Sequence, residues 1–167
     1  MFSHFPNSLV VRRRSARSVF TFTPFTFTLF TFALLFVSSY SIAATFVAKG
    51  SDWRYLDDGS NQGSAWRSIS FNDVSWQEGG AQLGYGDGDE RTELGYGPSS
   101  SDKFVTSYFR QSFQLSSLSG ITGLSLQLLR DDGAVVYING SEVLRSNMPS
   151  GSVSSTTRAS GAISGGA

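Results

Sequence analysis

Ala134 to Ile138 form an unbroken apolar run that meets Asn139-Gly140 and returns as Glu142-Val143-Leu144-Arg145. Asn-Gly between two strand-like runs favours a type I′ turn, because both central residues need positive φ and these two types tolerate it best. A β-hairpin is therefore expected. Upstream, Phe46-Val47-Ala48 and Trp53-Arg54-Tyr55-Leu56 read as short strands, and Asp57 to Gly63 as a loop. Trp66 to Trp76 follows, with a turn at Asn72-Asp73, and then Ala81 to Tyr85. Lys103 to Leu115 is the longest strand candidate, with Val105, Phe109 and Phe113 on one face and Phe104 and Tyr108 on the other. Leu124, Leu126 and Leu128 alternate with Ser125 and Gln127, which predicts one packed and one polar face. No stretch from Thr45 onward has helical periodicity. The pattern predicts an all-β jelly roll or β-sandwich of short antiparallel strands, about seven in number.

The first forty-odd residues differ in kind. Arg12, Arg13, Arg14 and Arg17 precede an apolar stretch from Val19 to Val37, and Ser41 and Ala43 supply the small residues of a cleavage site. These are the parts of a helical secretory signal, so residues 1–43 read as a leader and residues 44–167 as the module. Cleavage is expected after Ala43, with Ala44 as the alternative. A retained membrane anchor is the competing reading, but the threonines and Pro24 lower its hydrophobicity. The expected location is secreted, periplasmic or extracellular, with any membrane contact through the export signal.

Export changes the charge. The full chain balances thirteen Lys and Arg against thirteen Asp and Glu, whereas loss of the four leader arginines leaves the module at about −4. That balance disfavours nucleic acid, whose binders present clustered cations to phosphate. There is no cysteine, and the single histidine, His4, lies in the leader. The module therefore lacks the residues for a disulfide, a thiolate site, a Ser-His-Asp triad or a histidine-ligated metal.

Candidate chemistry lies in loops. Asp87 to Asp102 is a long polar, glycine-rich connection, and loops of that length are often functional. Tyr85 and Tyr96, set among glycines on either side of it, can stack on the apolar C–H face of a pyranose. Trp66, flanked by polar residues, is a third platform candidate, whereas Trp53 and Trp76 read as core. Asp87, Asp89 and Glu90 offer the hard oxygen ligands that a structural calcium prefers, without EF-hand spacing. Arg130 and Asp132 can bond ligand hydroxyls. A plainer role for Arg130-Asp131-Asp132-Gly133 is a turn into the hairpin, with carboxylate oxygens on backbone N–H groups and Arg130 on a carboxylate.

Taken together, Trp53-Arg54-Tyr55-Leu56-Asp57-Asp58-Gly59, Trp66, Asp73-Val74-Ser75-Trp76, Ala81 to Gly88, Tyr108-Phe109-Arg110 and Arg130 to Pro149 resemble one pattern. It is that of the galactose-binding-like jelly-roll modules of secreted bacterial proteins, found beside calcineurin-like metallophosphoesterases and in spore-coat-kinase-like or lamin-tail proteins. The resemblance spans roughly Phe46 to Ala167. It implies a noncatalytic accessory domain that binds carbohydrate or tethers a neighbouring catalytic domain. Such modules continue for several more strands, so further chain beyond Ala167 is expected. The alternatives are the amino-terminal piece of a secreted hydrolase, such as a metallophosphoesterase, and a structural or adhesive surface module.

Overall fold

The computed structural model of the protein describes residues 8–12 and 44–163. The apolar stretch of the leader, its cleavage residues before Ala44 and His4 lie outside them. Ten strands are formed in chain order: β1 (Ser8–Arg12), β2 (Ala44–Val47), β3 (Asp52–Leu56), β4 (Gln77–Gly80), β5 (Leu83–Gly84), β6 (Thr92–Glu93), β7 (Tyr108–Arg110), β8 (Gly123–Gln127), β9 (Ala134–Ile138) and β10 (Ser141–Ser146). A single 3-10 turn at Ala65–Arg67 interrupts them, and no α-helix occurs among the described residues. The described residues are all-β.

Two three-stranded antiparallel sheets carry most of the pairing, in the orders β2-β1-β8 and β4-β3-β7. Alternation in β3 explains the second. Trp53 and Tyr55 share one face and join the core, while Arg54 lies opposite Glu78 in register and pairs with it at 2.9 Å. The core cluster is Tyr55, Ala81, Leu83, Tyr85 and Leu94, with Trp53 and Phe109 packed against it. Leu83 is fully buried.

The hairpin forms as the Asn-Gly signal demands. Strands β9 and β10 pair antiparallel across Asn139 (φ 49°) and Gly140 (φ 84°), both in the left-handed region that a type I′ turn needs.

Elsewhere the pattern overstates regularity. The candidate at Lys103 to Leu115 contracts to three paired residues, because among the described residues β7 has only β3 beside it and the chain leaves that edge after Arg110. Trp66 to Trp76 holds turns and the 3-10 segment in place of a strand. The leucine face of β8 is less covered than its alternation suggests: Leu124 is exposed and Leu126 half-buried. Finally, β5 and β6 pair in parallel. The connection between them curls back so that Arg91 and Thr92 N–H both donate to the Gln82 carbonyl, which sets that direction.

Candidate functional site

The long connection is built around a buried carboxylate. Asp57, at the end of β3, accepts the Gln77 amide N–H on Oδ1 at 3.1 Å and the Gly95 backbone N–H on Oδ2 at 2.5 Å. Gly95 permits this approach, since a Cβ there would sit 3.2 Å from Oδ2. Beyond it the chain doubles back. Gly97 has φ 120°, Asp102 N–H donates to Ser99 O, and Phe104 N–H donates to Tyr96 O at 2.9 Å. This tight return carries Lys103 back over Tyr96.

An aromatic and cationic cluster results. The rings of Tyr85 and Tyr96 lie 5.2 Å apart at 52°. The Lys103 ammonium sits 4.7 Å from the Tyr85 centroid and 5.5 Å from that of Tyr96, within cation–π range of both. Tyr85 is 7% exposed and belongs to the core, whereas Tyr96 is 38% exposed. The pair thus has a fixed inner ring and an open outer one. Burial raises the pKa of the Tyr85 phenol, and the negative charges of Asp131 and Asp132 raise it further, which puts the hairpin's leading turn near this tyrosine.

That turn is fastened to its surroundings. Asp132 is buried, its Oδ1 accepts the Ile163 N–H at 2.9 Å, and its Oδ2 has no hydrogen-bond partner among the described residues. Arg130 donates from Nη1 to the Asp132 carbonyl and from Nε to Ser146 Oγ, so it grips backbone and hydroxyl rather than the Asp132 carboxylate. Arg130 also lines a cleft of about 260 Å³ with Leu126, Leu128, Leu144, Ser146 and Ile163. Asn147 Nδ2 ties the Asp132 carbonyl to that of Gly161.

The remaining sequence candidates go elsewhere. Trp66 packs edge-on against Tyr108 at 5.1 Å and Tyr137 at 5.8 Å, with the Arg67 guanidinium 4.2 Å from the Tyr137 centroid. It is a half-buried joint between the 3-10 turn and the hairpin. In the acidic loop, Glu90 accepts the N–H groups of Asp87 and Gly88 at 2.9 and 2.8 Å, and Asp89 accepts the Gln82 amide at 3.2 Å. Both Glu90 oxygens therefore hold the loop's own backbone. Among the described residues no group of three His, Cys, Asp or Glu is arranged to hold a metal.

Sequence reasoning missed Lys103 and Asp57. Lys103 reads as the start of a strand and Asp57 as a loop residue, and only tertiary folding brings them to Tyr96. A second open groove, of about 240 Å³, lies over β3, β4 and β7, lined by Trp53, Arg54, Asp73, Glu78, Arg110 and their neighbours. Its charges are already paired as Arg54–Glu78 and Arg110–Asp73. No family model, curated protein or solved structure matches the chain.

Proposed function

We propose that the chain is an exported accessory module of jelly-roll type that binds carbohydrate through the loop-borne tyrosines. The observation that carries this reading is the pairing of an exposed Tyr96 with a buried Tyr85 under one lysine ammonium. A pyranose presents an apolar C–H face that suits an aromatic ring, and equatorial hydroxyls that suit a cation and carboxylates. The exposed ring of Tyr96 and the Lys103 ammonium over it supply the aromatic face and the cation. Rigidity supports the same reading, because Asp57 and the Gly97 return hold the outer ring in place before any ligand arrives, which lowers the ordering cost of binding.

The test is a glycan array followed by calorimetry with the full chain. A single aromatic contact is worth about 0.5–1.5 kcal/mol, so Tyr96→Ala is expected to weaken saturable binding by about two- to twelve-fold. Trp66→Phe is expected to leave it unchanged. A folded chain that binds no glycan, or a Tyr96→Ala variant that binds as the parent does, overturns the proposal.

A further inference from the structure

Strand β1 lies between β2 and β8 and runs antiparallel to both. It follows that β2 and β8 run parallel to each other and stand one strand position apart, roughly 9–10 Å, twice the usual interstrand spacing. Every residue from Ser8 to Arg12 has a partner on β8, from Gln127 back to Gly123. On the other side Leu9, Val10 and Val11 face Val47, Thr45 and Ala44. Val47, opposite Leu9, is among the most buried side chains of the protein, at 4% exposure. The middle position of this sheet is therefore bonded on both edges.

The sequence places that position in an unusual part of the chain. Ala44, the first residue of β2, is also the first residue after the expected cleavage point, so β2 stays with the module whereas β1 belongs to the leader. Taking β1 away leaves two facing rows of backbone N–H and C=O groups too far apart to bond each other. Such a gap has a defined width, direction and register, and it satisfies any extended chain that enters antiparallel to both walls.

We infer that the gap between β2 and β8 is a strand-acceptor slot. Its occupant is an extended peptide segment rich in aliphatic residues, bound mainly through its backbone. In the full chain Ser8–Arg12 fills it in cis. Once the leader is removed, a segment of the same kind from a neighbouring polypeptide takes the position by β-strand addition. This inference rests on the proposed removal of the leader and not on the tyrosine site.

The full chain tests it directly. A protease recognition sequence inserted between Arg14 and Val19 allows β1 to be cut from the body after folding. The amino-terminal piece is expected to co-elute with the body in gel filtration, and excess labelled peptide spanning Asn7 to Arg13 is expected to exchange into the slot. The same peptide carrying Val10→Pro lacks a backbone donor and clashes within a paired strand, so it should compete at least about tenfold less well. Prompt separation of the piece from a folded body, or equal competition by the proline peptide, overturns the inference.

Discussion

Arg110 anchors one end of β7 through three hydrogen bonds and a ring contact. Its Nε donates to Asp73 Oδ2 at 2.7 Å, its Nη1 donates to the carbonyls of Trp66 and Ser68, and its guanidinium carbon lies 5.2 Å from the Phe71 ring centroid. The side chains of the pair are 15% and 27% exposed, so water screens them only in part. Breaking a fully buried pair costs about 3–5 kcal/mol and an exposed one about 0.2–1 kcal/mol. With two carbonyls also losing a charged donor, we predict that Arg110→Met costs about 2–4 kcal/mol. Arg54 is the internal control. It bonds one carbonyl, that of Trp76 at 3.2 Å, and its pair with Glu78 is 38% and 53% exposed, so Arg54→Met should cost about 1–2 kcal/mol. Urea titration followed by tryptophan fluorescence reads both. With a slope of about 2 kcal/mol per M, the Arg110→Met midpoint should fall by about 1–2 M. Equal midpoints for the two variants would refute the argument from burial. So would a coupling below about 0.5 kcal/mol between Arg110→Met and Asp73→Asn in a double-mutant cycle.

Two further outcomes are expected. The Tyr85 phenol has its pKa raised above its ordinary value of 10.0, so its contribution to stability is fully present below pH 10 and is lost as pH rises through the folded-state value. Urea midpoints measured between pH 8 and 11 should therefore fall more steeply for the parent than for Tyr85→Phe; parallel declines would argue against it. At Gly97 an added Cβ would lie 2.6 Å from the Asp102 carbonyl oxygen at φ 120°, so Gly97→Ala should cost about 2–4 kcal/mol. Gly151→Ala, with φ 84° and open space around it, should cost about 1 kcal/mol, and a reversal of that order would discredit the crowding at the Tyr96 loop.

How far the fold could be read from the chain depended on how local its causes are. Asn139-Gly140 announces its hairpin because the turn geometry is a property of those two residues. The β3 face was legible because alternation alone sends Trp53 and Tyr55 to one side. Lys103 to Leu115 misled for a related reason: aromatics on alternating positions mark burial, and burial was achieved with only three residues paired. The glycine-rich setting of Tyr85 and Tyr96 is legible locally, yet neither their tilted ring contact nor Lys103 above them is visible in a local window, since both depend on the chain reversing at Gly97. In the acidic loop the hard oxygen ligands are visible by composition, whereas the bonds of both Glu90 oxygens to neighbouring N–H groups exist only once the loop has folded.

Asp57 joins segments that are far apart in sequence: its two bonded partners lie 20 and 38 residues further along the chain. Contacts of that separation must overcome loop-closure entropy before they return any stabilisation. The shorter closure, to Gln77 across the β3–β4 pair, is expected to form before the longer one to Gly95 in the loop bearing Tyr96. A refolding chain should regain tryptophan burial first and its outer tyrosine last, so the surface around Tyr96 matures at the end of assembly.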